Sequence, residues 1–304
     1  MKKIFICEYV TSGGYINKKI TKNMFLQAKS IVKSLLIDFN KIPNIKVIHT
    51  WDNRLKKLTK KKNIECIVVK HNPIKKWKTL IKKVDFFLPI APESKNQLIN
   101  LIRLDNKKNK RKVNDIKIVS SKFKTFKFFK ENSIPTINTY NKLNKINFHI
   151  YKEWVLKPDD GVGCEKNYIF KKNKKLISFF KKNKNFIIQP LLKGLSYSAN
   201  IVLTKKKKPL IINFNKQNIK YKKKKIIFNG TRYIKNIPLK NEIIKNINFI
   251  SNKLPGLTGF FGIDFIIFKK EIFFLDINPR ITTSYKNINK NLKIKIAKKI
   301  LNTL

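Results

Sequence analysis

Three oxygen-bearing side chains near the C-terminal end of the chain have the types and spacing of a metal site. Two runs rich in aromatic and β-branched residues, 259–268 and 271–280, flank a short lysine-rich turn and predict an antiparallel hairpin. Asp276 and Asn278 lie two residues apart, so in a strand their side chains point to the same face. If Asp264 lies opposite Asp276, the three present the oxygen ligands that Mg²⁺ takes when it also holds phosphates.

The spacing of the two aspartates constrains the turn between the strands. For Asp264 and Asp276 to share a face, the loop must hold an odd number of residues, and a loop of residues 269–271 would place them directly opposite each other. The commoner two-residue turn is disfavoured because its Asn-Gly or Gly-X sequence is absent. The alternative is that the carboxylates only end strands and face solvent. Because apolar runs seldom hold unpartnered carboxylates, we predict that Asp264, Asp276 and Asn278 bind Mg²⁺, with Mn²⁺ as a substitute.

A second candidate site follows a predicted strand that ends in Lys157. The loop after it contains Asp160, Gly161, Val162 and Gly163. Glycines let backbone N–H groups approach phosphate oxygens closely, and a lysine at the strand end adds a positive charge. The Gly-Lys-Ser/Thr sequence of a P-loop is missing. An ordinary hairpin turn explains the loop equally well, so its interpretation as a phosphate site depends on the downstream carboxylates and on Lys122 upstream.

The first part of the chain alternates predicted strands with a predicted helix. Strands are predicted at 3–9, 46–50, 65–70 and 85–90, and a helix at 23–38. This alternation indicates an α/β domain with a parallel, helix-covered sheet. The lysine-rich stretch 106–115 then predicts a linker or loop.

Three polar clusters follow the predicted strands of this domain, where ligands of parallel sheets bind. We predict that they face a substrate; their residues are Glu8, Ser12, Gly13 and Gly14, then Asp52 with Arg54, and then Glu93. Two alternatives stay open. Gly13 and Gly14 could form only a tight turn, and Asp52 with Arg54 could be only a surface ion pair.

The later part of the chain has short strands in close succession. They are predicted at 153–157, 186–191, 197–204, 209–215 and 225–229, with helices at 122–130, 238–253 and 285–304. Such spacing suggests antiparallel hairpins, and the lysine runs at 205–208 and 222–225 are predicted to be solvated loop tips. The fold class is therefore α/β followed by α+β.

The charge of the chain resembles that of a nucleic-acid binder but does not predict one. Among 304 residues there are 70 Lys and Arg against 17 Asp and Glu, a net charge of +53. Only five are arginines, the residue that phosphate-clamping surfaces favour; they are Arg54, Arg103, Arg111, Arg232 and Arg280. Because the lysines are spread along the whole chain, we expect weak sticking to polyanions but no specific nucleic-acid function.

The cysteines and the apolar runs bear on location. Cys7, Cys66 and Cys164 have neither the paired spacing of a disulfide framework nor that of a zinc motif. A reduced, cytoplasmic protein is the simplest interpretation. No apolar run reaches about 18 residues, so we expect neither a signal peptide nor a membrane span.

The order and spacing of these motifs resemble the ATP-grasp superfamily over about residues 117–285. The matching residues are Lys122 with Thr125, the loop from Lys157 to Cys164, Gln189-Pro190-Leu191, Ser196, Ser198, Asp264 and Asp276 to Arg280. The segments 8–14, 91–93 and 278–285 resemble more narrowly the tyramine–glutamate ligase group, which are carboxylate–amine ligases linked to methanofuran-type cofactor synthesis.

The resemblance implies a pre-ATP-grasp domain at 1–115 and a two-subdomain ATP-grasp fold at 116–192 and 193–304. ATP would lie between the subdomains, and Gln189, Pro190 and Leu191 would hold adenine. Lys122, Lys157 and the loop at 160–164 would contact the phosphates. Arg280 and Lys157 would be catalytic, although Arg280 could instead only anchor its loop.

The resemblance also implies a reaction between small molecules. A substrate carboxylate, glutamate or a similar amino acid, would attack the γ-phosphate of ATP, and an amine would displace phosphate from the acyl phosphate. Ser284 would help to select the substrates. A homodimer is the default assembly. The alternatives are another ATP-grasp peptide or polyglutamate ligase, or a basic binding protein with a degenerate ATP site.

The chain departs from the family pattern at three positions. Cys164 stands where many ATP-grasp loops have glycine, and a positive φ there would be strained. Asp276 replaces the commoner glutamate. Gly262 stands where some relatives have an arginine, so Arg280 or Arg232 must supply that charge.

Overall fold

The computed structural model of the protein describes residues 1–56, 58, 62–105, 111–171 and 174–304, with the backbone but not the side chains of residues 290 and 291. The predicted linker lies partly outside these residues. Its last residues, 113–115, begin a helix rather than a loop. Among the residues described, no helix has both the length and the apolar content that crossing a membrane requires.

The N-terminal elements form the predicted parallel, helix-covered sheet. They are β1 (Lys2–Glu8), α1 (Lys22–Asn40), β2 (Ile45–Asp52), β3 (Ile64–Val69), α2 (Pro73–Lys82) and β4 (Phe86–Ile90). The strand order is β3-β2-β1-β4, and each neighbouring pair is parallel. The centre of β1 is buried on both faces, as a continuous apolar run in a helix-covered sheet requires. Helix α2 is missing from the sequence prediction, although Trp77, Leu80 and Ile81 have helical spacing.

Three short helices join this sheet to the rest of the chain. They are α3 (Gln97–Ile102), α4 (Val113–Val119) and α5 (Lys122–Glu131). Ser121 caps α5 by accepting a hydrogen bond from the Lys124 backbone N–H at 3.1 Å. Helix α5 therefore begins at Lys122, one of the predicted phosphate-binding lysines.

The later part of the chain folds into one large antiparallel sheet with three helices. Its elements are β5 (Glu153–Pro158), β6 (Tyr168–Lys171), α6 (Lys174–Lys182), β7 (Phe186–Pro190), β8 (Leu195–Leu203), β9 (Pro209–Lys222), β10 (Lys225–Ile234), α7 (Lys240–Lys253), β11 (Gly259–Phe268), β12 (Glu271–Asn278) and α8 (Lys290–Leu301). The order is β12-β11-β8-β9-β10-β6-β5-β7. One register pair, Lys225 with Tyr168, joins β10 to β6, so the smaller β5-β6-β7 part is only narrowly attached.

The apolar cores reflect this division. The small part has its own core of buried residues, Trp154, Leu156, Leu176 and Ile188. The two larger clusters instead combine residues of the parallel sheet, such as Phe5 and Ile6, with residues of the large sheet. The parallel sheet and the β8–β12 part are thus packed as one body, with the small part beside it.

The β11–β12 hairpin places the two aspartates on one face, but not through the predicted loop. Phe268 pairs with Glu271, so the turn has two residues, and both have positive φ (Lys269 49°, Lys270 65°). The predicted three-residue loop is therefore wrong. The extra residue that the shared face requires lies in strand β12 instead, where it forms a β-bulge. The register shifts between Asp264 and Phe265, which leaves Leu275 unpaired. Asp264 is directly opposite Asp276, as predicted.

Candidate active site

Two rows of polar side chains cross four neighbouring strands on one face of the large sheet. Directly opposed residues of a ladder share a face, and residues two apart on a strand do so as well. From β9 through β8 and β11 to β12, the first row is Asn215, Ser198, Asp264 and Asp276, and the second is Asn213, Asn200 and Asn278, with Gly262 at its β11 position. An open cleft lies against the part of these rows that runs from β8 to β12.

Both carboxylate oxygens of Asp264 accept hydrogen bonds from amide side chains. Gln217 Nε2 donates to Oδ1 at 2.8 Å, and Asn278 Nδ2 donates to Oδ2 at 3.0 Å. Burial, and then the neighbouring charge of Asp276, raise the pKa of Asp264 to about 7. The role of Gln217, which the sequence does not suggest, is therefore to orient this carboxylate.

Asp276 has the opposite electrostatic character from its neighbour. Burial alone would raise the pKa of Asp276, but the charges of Lys122 and Lys157 outweigh it and lower that pKa. Lys157 Nζ lies 3.8 Å from Asp276 Oδ2. Asp276 Oδ1 is buried and has no hydrogen-bond partner among the described residues. A buried carboxylate oxygen without a partner is costly, so Asp276 is poised for a further cation.

The donor set at this point fits Mg²⁺. Asp264 and Asp276 supply two carboxylates and Asn278 an amide, all oxygen donors of the type that hard divalent cations take. The described ranges hold no group of three His, Cys, Asp or Glu side chains that could bind a metal, so the donor set here is two carboxylates and one amide. Because the raised pKa of Asp264 comes partly from its unneutralised neighbour, a cation between the two carboxylates would relieve their repulsion.

The glycine loop after Lys157 folds along the cleft. Gly161, Val162, Gly163 and Cys164 line it, and Lys122 Nζ donates to the Gly161 carbonyl at 2.6 Å. Gly163 has φ 62° and Cys164 has φ 59°, so Cys164 has the strained conformation that favours glycine. Lys157 itself is buried, which lowers its pKa.

The two aspartates of that loop have structural contacts. Asp159, which the site prediction omits, accepts from Ser121 Oγ at 2.6 Å and from the Phe123 backbone N–H at 2.8 Å, and so holds the start of α5. Asp160 accepts from the Lys95 backbone N–H at 2.9 Å and from Asn185 Nδ2 at 2.8 Å. Asp160 thus connects the small part of the large sheet to the N-terminal domain.

The predicted adenine segment lies on and just after β7. Gln189 is buried, and its Nε2 donates to Thr139 Oγ1 at 2.6 Å. Pro190 pairs with Trp154 of β5. Gln189, Pro190 and Leu191 are not among the described residues that line the cleft.

Arg280 lines the cleft just beyond β12 and is held by Glu93. Its Nε lies 3.0 Å from Glu93 Oε1, and its Nη2 donates to Glu93 Oε2 at 3.1 Å. Glu8 lies with Arg280 around a smaller adjoining cavity, and Thr11 donates to Glu8 Oε2 from both its backbone N–H and its hydroxyl at 2.8 Å. Burial raises the pKa of Glu8. Two of the predicted substrate residues are thus brought to Arg280.

The other predicted substrate residues divide into two groups. Ser284 lines the cleft. Ser12 donates to the Thr50 carbonyl, Gly13 and Gly14 pack on Val69 and Tyr9, and Arg54 forms a 2.7 Å ion pair with Asp52. This second group is not among the described residues of the cleft wall, and the ion pair considered as an alternative is present. Arg232 lines a neighbouring cavity instead, which leaves Arg280 as the arginine of the cleft wall among the described residues.

Several cleft residues are missing from the predicted site residues. Thr282, Asn200 and Gln27 line the cleft, although they come from a loop, a central strand and a helix far apart in the chain. Only the long-range register of β8 with β11 brings Asn200 beside Gly262. The two-residue spacing of Ser198 and Asn200 in an apolar run was the one local hint.

The sequence matches two known domain families. The ATP-grasp domain family matches residues 119–284, and the pre ATP-grasp 3 domain family matches residues 45–114. Among curated proteins, the tyramine–L-glutamate ligase of Methanocaldococcus fervens is 28% identical over 305 residues, covering 92% of this chain and 87% of that protein.

Solved structures share the fold. A crystal structure described as an ATP-grasp superfamily protein from Archaeoglobus fulgidus has a TM-score of 0.75 at 16% identity and covers 100% of this chain and 90% of its own. The L-amino acid ligase of Bacillus licheniformis has a TM-score of 0.69 at 11% identity, covering 100% of this chain and 75% of its own. Because the ATP-grasp domain family matches more than half of the chain, the protein belongs to the ATP-grasp family of ATP-dependent ligases.

Proposed function

We propose that the protein is an ATP-dependent carboxylate–amine ligase that forms an amide bond through an acyl phosphate. The observation that carries the proposal is the pairing of Asp264 with Asp276 beside Lys157, on a cleft that Arg280 also lines. Phosphoryl transfer depends mainly on positioning and charge neutralisation, and this arrangement supplies both.

The residues near the paired aspartates are assigned to ATP and its metal. Lys122 and Lys157 contact the phosphates, the backbone at 160–164 covers them, and Gln189 to Leu191 hold the adenine. Asp264, Asp276 and Asn278 hold Mg²⁺, or Mn²⁺ in its place. When bound, the metal neutralises and orients the terminal phosphates.

The chain's own residues then act on the reacting groups. Arg280, fixed by its two contacts with Glu93, stabilises negative charge as the carboxylate oxygen takes the γ-phosphoryl group and ADP leaves. The same guanidinium stabilises the tetrahedral intermediate when the amine nitrogen attacks the acyl carbon. Phosphate then leaves, the nitrogen loses a proton, and the amide remains.

The substrates are proposed from the relatives and from the charges of the cleft. The curated relatives act on tyramine and L-glutamate, and we propose glutamate or a similar amino acid as the carboxylate. Glu8, Glu93 and Ser284 contact the substrates in this proposal, whereas Ser12, Gly13, Gly14, Asp52 and Arg54 maintain the fold beside them. Another ATP-grasp peptide or polyglutamate ligase, acting on a different pair of substrates, is the first rival, and a basic binding protein with a degenerate ATP site is the second.

Turnover assays test the function. The purified protein with ATP, Mg²⁺, L-glutamate and tyramine should release ADP and phosphate and yield an amide detectable by mass spectrometry. Without the amine, hydroxylamine should trap the acyl phosphate as a hydroxamate. Asp276→Asn and Lys157→Met should lower turnover by roughly 10²-fold or more. Glu65→Gln, which breaks the surface pair between Lys46 and Glu65, is the matched control and should retain full turnover.

The rivals predict different outcomes. ADP release with other amino acids or amines, but not with this pair, would support the first rival, and a panel of amines would identify the acceptor. No ADP release with any pair, together with salt-sensitive retention of RNA, would support the binding protein. The division at residues 115 and 192, a cytoplasmic location and a homodimer remain predictions that accompany the proposal.

A further inference from the structure

A line of hydrogen-bonded side chains leads from the C-terminal turn to the wall of the cleft. Its members, in order, are Asn287, Asn215, Asn213, Asn200, Ser284 and Thr282. Successive contacts measure 3.3, 3.0, 2.9, 2.8 and 2.7 Å. Asn200 and Asn215 are fully buried. Because each amide has one donor end and one acceptor end, the orientation of one amide fixes that of the next.

The direction is set where the line meets the backbone. Asn287 Nδ2 donates to the Thr231 carbonyl oxygen at 3.0 Å and to Thr231 Oγ1 at 2.8 Å. A carbonyl can only accept, so the amide of Asn287 must face it with its nitrogen. The Asn215 atom beside that nitrogen is then the oxygen, which also accepts from Asn213 Nδ2. This holds although Asn215 Nδ2 is left without a partner among the described residues.

The same reasoning fixes the donor and the acceptor of each contact as far as the cleft. Because Asn213 donates to Asn215, its oxygen accepts from Asn200 Nδ2, and Asn200 Oδ1 accepts from the Ser284 hydroxyl. Ser284 has a single hydroxyl proton. In its contact with Thr282 the serine oxygen must therefore accept, and the threonine hydroxyl must donate. Only the lone pairs of Thr282 Oγ1 remain for a ligand.

Thr282 lies two residues after Arg280 on the cleft wall. It packs over Gly262, where an added Cβ would lie 3.3 Å from Thr282 Cγ2. Two kinds of recognition thus stand side by side. The guanidinium of Arg280 can only donate and suits carboxylate or phosphate, whereas the hydroxyl of Thr282 can only accept and suits N–H groups.

We propose that Thr282 accepts a hydrogen bond from the α-ammonium group of the carboxylate substrate. This rests on the proposed ligase function and adds a determinant of specificity to it: the enzyme selects α-amino acids over analogues that lack the amino group. The incoming amine is the other source of an ammonium group. It must be neutral to attack the acyl carbon, so a site that held it as a cation would oppose the reaction.

Substrate pairs and one substitution test the proposal. The ratio of kcat/KM for glutamate to that for glutarate, which lacks the amino group, is measured in the wild type, Thr282→Val and the control Thr282→Ser. We expect the wild type to prefer glutamate, Thr282→Val to reduce this preference by roughly 10-fold or more, and Thr282→Ser to retain it. Thr282→Val should lower the rate with glutarate much less than the rate with glutamate.

Other outcomes overturn the inference, and they differ from a failure of the function. Equal loss on both substrates, or a raised KM for the amine with an unchanged preference, would overturn the assignment to the α-ammonium group. A wild type that makes no amide from any amino acid would overturn the proposed function, and this inference with it. Normal turnover with an unaltered preference in Thr282→Val would overturn this inference alone.

Besides lining the cleft, Ser284 orients the Thr282 hydroxyl in this scheme, and this gives a second test. Ser284→Ala removes the acceptor for the Thr282 proton, so the threonine hydroxyl can turn and donate into the cleft. The preference for glutamate should fall. The double variant Thr282→Val/Ser284→Ala should lose no more of this preference than Thr282→Val alone. A purely structural role for Ser284 would instead lower the rates on both substrates together, which would contradict the directed line.

Discussion

Asp264 lies directly opposite Asp276 in the β11–β12 ladder because Leu275 is an extra, unpaired residue of β12. A regular ladder continued from the turn would place Leu275 opposite Asp264 and would turn Asp276 to the other face. One bulged residue thus creates the pair of carboxylates. Bulges are frequent beside active sites because they redirect a side chain without changing the rest of the sheet.

The turn of this hairpin predicts a stabilising substitution. Lys269 and Lys270 both have positive φ, a conformation that asparagine and glycine adopt at lower cost than lysine. Lys269→Asn/Lys270→Gly should therefore raise the free energy of unfolding by about 1 kcal/mol, measured by urea denaturation. Turnover should not change, because neither lysine is among the described residues that line the cleft.

The β9–β10 turn is a matched control. Lys223 and Lys224 also have positive φ, 46° and 60°. Lys223→Asn/Lys224→Gly should stabilise by a similar amount. If neither pair of substitutions stabilises the protein, the positive φ angles at these turn residues would be contradicted. If only one pair does, the gain in the free energy of unfolding depends on local packing.

The hairpin also shows what the sequence could predict and what it could not. The number of residues between Asp264 and Asp276 shows that the hairpin must contain one residue more than a two-residue turn with regular strands if the two side chains are to share a face. This conclusion is correct. Counting does not say whether that residue lies in the turn or in a strand, because the turn type depends on φ angles that lysine rarely adopts. The position of the bulge depends on the pairing of β12 with β11, and β11 is itself paired on its other side with β8.

Elsewhere the limits of prediction follow from the range of the interactions. The parallel sheet follows from local apolar runs. Strands β9 and β10 extend to Lys222 and Ile234, beyond their predicted ends, because they pair with each other although their outer residues are polar and largely exposed. The amide line from Asn287 to Asn200 joins residues that are far apart in sequence, so no local pattern announces it.

Arg280 and Arg54 provide a matched pair for the role of the cleft arginine. Each forms an ion pair with a buried carboxylate, Glu93 and Asp52 respectively, but only Arg280 lines the cleft among the described residues. Arg280→Lys keeps the charge and loses the planar, two-point contact with Glu93. Turnover should fall by roughly 10²-fold with little change in stability. Arg54→Lys should leave turnover intact; an equal loss in both variants would assign Arg280 only an anchoring role.

The cysteines should differ in reactivity. Burial raises the pKa of Cys164 to about 11, although the charge of Lys157 acts in the opposite direction, and burial raises the pKa of Cys7 well above its usual value. At pH 8 Cys164 should be about 0.1% thiolate, the reactive form. Iodoacetamide should therefore modify the exposed Cys66 first, as measured by mass spectrometry of intact protein and peptides. Cys66→Ser is the control, and rapid modification of Cys164 in that variant would contradict the raised pKa.

His49 should make the protein less stable in mild acid. Its side chain is 2% exposed, and burial lowers its pKa from 6.5 to about 4. Between pH 6.5 and pH 4 the histidine is protonated in the unfolded chain but not in the folded protein. The free energy of unfolding therefore falls as the pH drops through this range and levels off below about pH 4. The loss attributable to this group is at most ~3 kcal/mol. Urea denaturation of the wild type and His49→Gln from pH 4 to 7 isolates it, because the other titrating groups are common to both. The free energy of unfolding of the wild type minus that of His49→Gln should fall as the pH drops toward 4. A constant difference would mean that His49 takes up its proton in the folded state as readily as in the unfolded chain.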